Sequence, residues 1–239
     1  MASKEHMAAQ KSTEEQLAAY NARSPEEQEA RRLARRERRA AKKAARKGNK
    51  SNKPGAPYVA PKLPDFNQTN TFVCIDLEQF EWCHKHLTEV GITLYDVTTN
   101  QISTAHIIVD ENYKRRNGRF VPDNKDKFSF GESRVMNLKT VKRLLQDILD
   151  RHQHVVGHAI RGDLKYISKT FGICTKEHIT YDTIKLHKAY EKSKQKRNLS
   201  KCCAQVGIEL NDPHNAGNDS HCNMHLFAEQ RRELSTRAA

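Results

Sequence analysis

The stretch TFVCIDLEQF, residues 71–80, constrains the fold more than any other part of this chain. Its β-branched and apolar residues are typical of a buried strand. Asp76 and Glu78 interrupt it two positions apart, so a strand directs both carboxylates to the same face of its sheet. Such a pair is costly on an apolar strand unless a positive group lies between the two. The segment therefore predicts a buried strand that ends at a binding site for a positively charged group.

The segments downstream alternate in periodicity and predict an α/β fold. Residues 87–97 and 105–110 have the composition of two more strands, and Asn117-Gly118 is a strong signal for a two-residue hairpin turn. Asn137 is placed to cap the helix that follows it. The remaining predicted elements are helix 138–152, strand 154–160, helix 162–172, strand-to-helix 178–186, and helices 199–210 and 218–234. This order predicts a mixed sheet covered by helices on both faces.

The N-terminal quarter of the chain has a different composition and cannot build a core. Residues 1–61 hold 15 Lys and Arg against 7 Asp and Glu, and their long basic run contains one large apolar residue, Leu33. Ser24 and Glu27 fit a capping box, which predicts a solitary charged helix or a disordered arm. We predict three parts: a basic arm at 1–50, a Pro-rich linker at 51–69 and a folded domain at 70–232.

The formal net charge of +13 favours a polyanionic partner, nucleic acid before a membrane surface. No apolar run approaches the roughly 20 residues that span a bilayer. We expect the arm to contact RNA or DNA and to act as a nuclear import signal; the alternative is a solubilising tail without a partner. The N-terminus lacks the apolar core of a signal peptide, which predicts an intracellular protein of the nucleus, the cytoplasm or both.

The six cysteines lack C-x-x-C spacing, so reduced thiols are the better interpretation. An alternative is a zinc site built from neighbouring histidines and cysteines in the last two predicted helices. Its candidate ligands are Cys202, Cys203, His221, Cys222 and His225. Because no second pair has finger-like spacing, ordinary packing is favoured for these residues.

Two further carboxylates lie at the ends of predicted elements. Asp163 follows the strand 154–160 at a turn into a helix, and Asp219 lies at the start of the last helix. His214 stands five positions before Asp219, and five helical residues separate two side chains by roughly 140°, so a loop that turns into a helix is predicted between them. Together with the strand pair, four carboxylates can converge on a pocket of the kind that Mg²⁺ or Mn²⁺ prefers.

These motifs resemble those of the DEDDh family of 3′→5′ exonucleases, which has a ribonuclease H-like fold. The motifs are D-x-E at Asp76 and Glu78, G-H-x4-D ending at Asp163, and H-x4-D at His214 and Asp219. They occur in the family's order across about residues 70–230. The segments VCIDLEQF, VPDNKDKFSFGES and HNAGND further resemble a fungal branch that includes an Argonaute-associated exonuclease.

The resemblance implies a role for each motif residue. Asp76 bridges two metal ions, Mg²⁺ or Mn²⁺. Glu78 and Asp219 bind one of these ions, and Asp163 holds the second, directly or through water. His214 is the general base, which takes a proton from the attacking water.

Other residues are candidates for contact with nucleic acid or for support of the site. The tip of the predicted hairpin carries four basic side chains: Lys114, Arg115, Arg116 and Arg119. Phe128 and Phe130 lie in an insertion, 111–135, and could guide a strand by stacking, cover the site, dock a protein or complete the core. The resemblance implies that His158 helps to shape the pocket. Four other histidines are expected at the surface: His84, His86, His152 and His154.

The expected function is a metal-dependent 3′→5′ exonuclease that acts on single-stranded nucleic acid, with RNA favoured. One alternative keeps the fold as a silent scaffold that binds RNA, a ribosome, or a ribonucleoprotein or Argonaute-type partner. A second alternative is an endonuclease on the same fold. Intact acids favour an enzyme, because a scaffold gains nothing from clustering four carboxylates.

Overall fold

A computed structural model describes residues 61–237 together with eleven residues before them: 24, 26, 27, 30, 33, 34, 37, 38, 41, 58 and 59. The chain divides into two compact units, Met1–Pro57 and Tyr58–Ala239. Most of the predicted arm, and residues 51–57 and 60 of the predicted linker, lie outside the described residues. Within the part that is described, no helix is long and apolar enough to cross a membrane.

In the first unit, Ser24 and Glu27 form the predicted capping box. The Ser24 amide donates to the Glu27 carboxylate, and the Glu27 amide donates to the Ser24 hydroxyl, each over 3.2 Å. The described residues between 26 and 41 are helical. The helix start that the sequence predicts at Ser24 is therefore confirmed.

The second unit contains the mixed sheet that the sequence predicts, and this sheet has six strands. The strands are β1 (Thr71–Gln79), β2 (Leu87–Asp96), β3 (Gln101–Val109), β4 (Ser133–Met136), β5 (His154–Gly157) and β6 (Ile179–Asp182). Their order across the sheet is β4-β3-β2-β1-β5-β6. The pairs β1–β2 and β2–β3 are antiparallel, whereas β3–β4, β1–β5 and β5–β6 are parallel. The strand that carries the two carboxylates is thus central.

Five helices flank the sheet in this unit: α1 (Leu138–Arg151), α2 (Arg161–Phe171), α3 (Thr183–Tyr190), α4 (Leu199–Gln205) and α5 (Ala216–Thr236). The side chain of Asn137 accepts a hydrogen bond from the Thr140 amide over 2.8 Å, so the predicted cap of α1 is confirmed. Helix α2 ends at Phe171. The next residue, Gly172, caps it with a φ of 72°, the left-handed conformation that favours glycine at a helix end.

The two faces of β1 support separate cores. On one face, Val73, Ile75 and Leu77 join the apolar side chains of α1 and α2. On the other face, Phe72 and Cys74 pack with Tyr181 and with residues of α3 and α5. Leu63 and Phe66, which lie in the predicted linker, also pack against this second core. Asp76 and Glu78 share the α5 face with Phe72 and Cys74 because they are separated from them by even numbers of residues.

The structure corrects three local predictions. Asn117-Gly118 forms no hairpin, because the Asn117 side chain is used to hold the chain that follows β1. The insertion instead ends in β4, an edge strand that the sequence did not reveal. His154, expected at the surface, is buried beside Tyr181, whose hydroxyl lies 2.9 Å from His154 Nδ1. In each case the deciding partner is distant in sequence.

Candidate active site

The carboxylates of Asp76 and Glu78 lie on the face of β1 that packs against α5. Asp76 pairs across the sheet with Gly91 of β2. A Cβ atom at Gly91 would lie 1.8 Å from the Ala216 carbonyl oxygen at the start of α5. Only glycine lets the first turn of α5 come this close to the sheet. The close approach brings the beginning of α5 against the strand that carries the first two acids.

The first turn of α5 supplies Asp219, and the loop before it supplies His214, as the sequence predicts. The His214 amide donates a hydrogen bond to Asp219 Oδ2 over 3.2 Å, which closes the loop onto the helix. In this loop the left-handed backbone conformation occurs at Asp212 and His214, with φ of 46° and 67°. It does not occur at Asn215 or Gly217, although Asn and Gly tolerate it best. Asn215 begins the helix by accepting a hydrogen bond from the Asn218 amide.

Asp163 reaches the same place from the first turn of α2. Its carboxylate accepts a hydrogen bond from the backbone amide of Leu77, the residue between Asp76 and Glu78. The strand order places β5 beside β1, so the turn from β5 into α2 opens next to the carboxyl end of β1. Four acids from β1, α2 and α5 therefore gather at one end of the sheet.

The four carboxylates destabilise one another's charged forms. Burial raises the pKa of Asp76 well above its usual value, and repulsion from Asp219, Asp163 and Glu78 raises it further. Burial, with repulsion from Glu78, raises the pKa of both Asp163 and Asp219 to about 7. Burial also raises the pKa of Glu78, which His214 opposes. Within the described part of the chain, no lysine or arginine forms an ion pair with these four carboxylates, although carboxylates with so little exposure require a positive partner.

His214 lies at the open side of this cluster. Its Nδ1 atom is 3.6 Å from Glu78 Oε1, and 41% of its side chain is exposed. The neighbouring Glu78 carboxylate, which can only accept the imidazole proton, raises the pKa of His214 above its ordinary value. A half-exposed histidine with a raised pKa is suited to take a proton from a water molecule at the mouth of the site.

The donor set fits hard divalent cations. Glu78, His214 and Asp219 each present a ligand atom, and these atoms lie within 4.8 Å of one another. Asp219 Oδ1 is buried and has no hydrogen-bond partner among the described residues. An unpartnered carboxylate oxygen beside other acids is the arrangement that an oxygen-binding cation completes.

A family model described as "DNA polymerase III subunit epsilon-like, C-terminal domain", of the DEDDh type, matches residues 71–229. The chain belongs to the DEDDh exonuclease family. The ribonuclease H-like fold and the family predicted from the motifs are confirmed. Membership of this family supports a nuclease function, and DEDDh exonucleases use divalent metal ions.

Two fungal relatives are similar to this chain. "Good for full DBP5 activity protein 2" of Saccharomyces cerevisiae is 28% identical over 193 residues, which cover 64% of this chain and 34% of the relative. "Uncharacterized nucleolar protein C2C4.08" of Schizosaccharomyces pombe is 31% identical over 163 residues, 64% of this chain and 66% of the relative. The chain thus spans between one third and two thirds of the length of these relatives.

Solved structures similar to this chain include DEDDh nucleases. The zinc ion-bound form of the E. coli ExoI–ssDNA complex is 15% identical to this chain, with a TM-score of 0.48. The match covers 70% of this chain and 42% of the ExoI chain. Cell-death related nuclease 4 (CRN-4) has a TM-score of 0.45 at 15% identity, with 70% and 64% covered.

Both ring nitrogens of His158 have partners outside the group of four acids. Its Nδ1 is 3.0 Å from the Thr183 hydroxyl, and its Nε2 is 3.1 Å from the Arg197 carbonyl oxygen. Thr183 donates to the side chain of Asn223, which in turn donates to the Cys74 thiol, two residues before Asp76. This chain of contacts connects His158 to the strand that carries the acids.

The four basic residues at 114–119 differ in how the fold uses them. Arg116 forms ion pairs of 2.6 Å with Asp123 and with Asp126. Arg115 Nε donates to Asn112, and Arg119 lies over the ring of Trp82 at 4.4 Å. The fourth, Lys114, is exposed. The charge of Arg116 is therefore largely neutralised within the protein.

Phe128 and Phe130 lie on one side of α5. Phe128 is half-buried, and a Cβ at Gly217 would lie 2.6 Å from its ring. Phe130 is 43% exposed and stacks on His221, with ring centroids 3.5 Å apart. His221 also bonds the Thr104 hydroxyl through Nδ1.

The candidate zinc ligands in α4 and α5 form no metal-binding group among the described residues. Burial keeps the pKa of His221 at about 4, with repulsion from His225 contributing. Cys202, Cys203 and Cys222 are packed in a small apolar core with Leu226, and all six cysteines are free thiols. Ordinary packing therefore accounts for these three cysteines.

Two buried charged residues next to the site were not predicted from the sequence. Glu89 of β2 accepts hydrogen bonds from the Ala216 amide over 3.2 Å and lies 3.1 Å from His106 Nε2. Lys125, 2% exposed, donates to the carbonyl oxygens of Asn112, Tyr113 and Arg115. Neither has a local motif: Ala216 lies 127 residues from Glu89, and the three carbonyl partners of Lys125 lie 10 to 13 residues before it in an irregular loop.

Proposed function

We propose that this protein is a metal-dependent 3′→5′ exonuclease that hydrolyses single-stranded nucleic acid, with RNA favoured over DNA. The convergence of Asp76, Glu78, Asp163 and Asp219 beside His214 carries this proposal. Among the described residues these buried or half-buried acids have no lysine or arginine partner, which is costly for stability and would be relieved by a bound cation. The motif order and the family membership support the same function.

The four carboxylates would hold two divalent ions, Mg²⁺ or Mn²⁺. These ions, when bound, supply Lewis-acid stabilisation of the charge that develops on the scissile phosphate and the leaving oxygen. The residues' own part is to fix the ligand oxygens: Asp76 and Glu78 through the rigid central strand, and Asp163 and Asp219 through the first turns of two helices. Ligands on such elements are held more rigidly than ligands on loops.

His214 accepts the proton of the attacking water. Glu78 orients the imidazole and raises its pKa, which makes it a stronger base. A bond forms between the water oxygen and phosphorus as the bond from phosphorus to the 3′ oxygen of the preceding nucleotide breaks. The products are a nucleoside 5′-monophosphate and a strand shortened by one residue with a free 3′ hydroxyl.

A time course on 3′-labelled and 5′-labelled RNA and DNA, with Mg²⁺, Mn²⁺ or EDTA, tests this function. We expect loss of the 3′ label first, stepwise shortening of the 5′-labelled strand, and no reaction with EDTA. A circular single strand should stay intact, because it has no 3′ end. Asp147→Asn, which changes an exposed acid on α1, is the matched control and should leave the rate unchanged.

Cleavage of the circular strand would indicate an endonuclease on the same fold and not an exonuclease. An inert protein that still binds the linear strands would indicate the scaffold. A wild-type protein that degrades the strands equally well in EDTA would contradict the metal dependence.

We further propose that the protein acts in the nucleus and that the basic arm at 1–50 raises its affinity for nucleic acid. Support comes from a relative whose name describes it as nucleolar and from the charge of the arm. Affinity through phosphate contacts falls with salt and carries no sequence preference. Deletion of residues 1–50 should weaken strand binding, flatten its salt dependence and reduce the nuclear fraction of a fluorescent fusion.

A further inference from the structure

The imidazole of His214 is held by few contacts of its own. Its Nδ1 atom lies 3.6 Å from Glu78 Oε1, and 41% of the side chain is exposed. Its backbone has a φ of 67°, a left-handed conformation that is uncommon for residues with a Cβ atom. Such a conformation persists only where the surrounding structure fixes it. The position of the imidazole therefore depends on what holds the backbone of the His214 loop, defined here as residues 211–215.

The insertion holds this loop from both sides of His214 through buried asparagines. Asn124 is 6% exposed, and its side-chain amide donates a hydrogen bond of 2.6 Å to the carbonyl oxygen of Pro213. In the opposite direction, the side chain of buried Asn215 donates to the carbonyl oxygens of Asn124 and Lys125, over 3.0 and 3.1 Å. The residues directly before and after His214 are thus bonded to the same short segment of the insertion.

A third buried asparagine ties the insertion to the first turn of α5. Asn218 accepts a hydrogen bond from the Ser129 amide and donates one to the Lys127 carbonyl oxygen, each over 2.9 Å. The same side chain donates to the carbonyl oxygen of Asn211, at the start of the His214 loop, over 3.3 Å. One side chain therefore joins the insertion, the His214 loop and the helix.

Packing and a buried charge keep the insertion itself in place. The ring of Phe128 lies against α5 at Gly217, where a Cβ atom would be 2.6 Å from the ring. The ammonium group of buried Lys125 donates to three carbonyl oxygens within residues 112–115. A buried charge that lost these acceptors would be costly, so the segment resists release from the fold. The insertion is therefore a firm support for the His214 loop.

We propose that Asn124, Asn215 and Asn218, together called the asparagine clasp, are positioning residues that hold His214 where it accepts the proton of the attacking water. The proposal rests on the exonuclease function for the identity of this reaction. A general base has to lie within hydrogen-bond reach of the proton that it takes, and a displacement of about 1 Å can slow a reaction about a hundredfold. The insertion thereby has a purpose that requires no contact with the substrate.

Amide hydrogen exchange followed by NMR tests the clasp without any catalysis. The reporter is the His214 amide, which donates to Asp219, in the full-length and metal-free protein. Asn124→Ala leaves the Pro213 carbonyl oxygen without its donor and should speed exchange at His214 about ten- to a hundredfold. Amides of α1 should exchange as in the wild type, because the fold as a whole stays closed.

Two other substitutions bracket this result. Lys127→Gln removes an exposed ion pair of 3.1 Å with Asp212, so exchange at His214 should rise less than about fivefold. Asn70→Ala is the matched control, because it changes an exposed asparagine directly before β1, and it should leave exchange at His214 unchanged. Exchange at His214 that is equal in Asn124→Ala and in the wild type would overturn the clasp.

The wild-type protein provides a second test, which decides the matter even if Asn124→Ala fails to fold. The clasp joins the His214 loop to the segment that contains Ser129, whose amide donates to Asn218. Low concentrations of urea should therefore open the His214 and Ser129 amides together, with the same dependence on urea. Opening of His214 while Ser129 stays protected would show that the insertion does not hold the loop.

The effect on catalysis is measured with and without the base. In single-turnover cleavage of a labelled strand, Asn124→Ala should lower the maximal rate about ten- to a hundredfold and leave the half-saturating concentration unchanged. In a His214→Ala background the same substitution should change the rate less than about twofold, because the group on which the clasp acts is gone. A reduction of equal size in both backgrounds would overturn the positioning role.

Failure of the exonuclease proposal stays distinguishable from failure of the clasp. A wild-type protein that cleaves no strand with Mg²⁺ or Mn²⁺ would end the exonuclease proposal, and with it the catalytic role of the clasp. The exchange measurements would still show whether the insertion holds the His214 loop. An active protein in which Asn124→Ala speeds exchange at His214 without slowing cleavage would keep the exonuclease function and refute the positioning role.

Discussion

Two groups of buried acids lie side by side in this molecule and differ in their partners. Glu78 of β1 and Glu89 of β2 are direct neighbours across the sheet. Glu89 has His106 and the first amide of α5 within hydrogen-bond distance, so its charge is compensated. Glu78 belongs to the cluster with Asp76, Asp163 and Asp219, which repel one another. Directly paired positions on one sheet thus carry an acid that supports the fold in one case and, under the proposed function, an acid that would bind a cation in the other.

The difference shows how a buried acid can be assigned a purpose. An acid whose oxygens meet donors holds the fold together, and its loss leaves those donors unsatisfied. An acid beside other acids weakens the apo protein and gains its partner from outside. The carboxylate of Glu89 fixes the start of α5, and α5 presents Asp219, so the compensated acid supports the uncompensated ones.

The largest expected effect is on catalysis. Asp76→Asn removes the central ligand and should lower the rate of strand cleavage at least about a thousandfold, beyond the loss of a single transition-state contact. Strand binding should persist, because the basic surface is unchanged. Single-turnover cleavage of a labelled oligonucleotide measures the rate, and anisotropy measures binding. Wild-type cleavage by this variant would contradict the assignment.

Removal of the compensated acid should act on stability instead. Glu89→Ala leaves the Ala216 amide and His106 without their acceptor and should lower the free energy of unfolding by about 3–5 kcal/mol. Urea unfolding followed by circular dichroism measures this loss. Asp76→Asn should leave the metal-free protein as stable as wild type or more so. Equal destabilisation by both substitutions would remove the contrast between the two groups.

Gly91 links the two groups, since it pairs with Asp76 and touches Ala216. Gly91→Ala places a methyl group against the Ala216 carbonyl and should cost about 1–3 kcal/mol of stability. Because α5 must shift away from β1, cleavage should also slow. Gly162→Ala is the matched control, as nothing lies within 4 Å of its added carbon. An unchanged melting temperature for Gly91→Ala would refute this account of the helix position.

The uncompensated acids should also show in the dependence of stability on pH. The pKa of Asp219 is about 7 in the fold, against 3.8 for a free side chain. Between these values the folded state binds a proton that the unfolded state does not, so rising pH removes stability from the wild type. Asp219→Asn lacks this loss. Without metal, its advantage over wild type should grow by about 2–3 kcal/mol between about pH 5 and about pH 8.

Chemical denaturation of both proteins across that range, in EDTA, measures the difference. If the stability advantage of Asp219→Asn stays constant with pH, ionisation of Asp219 does not destabilise the folded protein. Saturating Mg²⁺ should reduce the advantage, because a cation then compensates the wild-type carboxylate.

The smallest effect is expected at Arg116. Its guanidinium is already paired with Asp123 and Asp126 on a partly exposed surface, so Arg116→Gln should change stability by less than about 1 kcal/mol. Its effect on strand affinity should be smaller than that of Lys114→Gln, which removes an exposed charge. Salt titrations of strand binding compare the two. A larger effect at Arg116 would assign it to the phosphate contacts that the sequence suggested.

The sequence predicted the parts of this fold whose signals are local. The apolar run of β1, the Asn137 cap and the motif order each combine neighbouring residues with a known geometric consequence. The Asn117-Gly118 hairpin was wrong because the side chain of Asn117 binds the backbone of residues 79 and 81, which outweighs the local turn preference. The site residues were named from motifs, whereas the roles of Glu89 and Lys125 depend on partners that no local motif reveals.

Titration calorimetry of Mn²⁺ into the metal-free protein at neutral pH tests the central claim most directly, namely that the four acids are cation ligands. We predict that the wild type binds two ions and releases protons as they bind, that Glu89→Gln keeps this stoichiometry, and that Asp76→Asn loses most of the heat. A wild-type protein that binds no Mn²⁺, or an Asp76→Asn protein that binds it as the wild type does, would contradict the account.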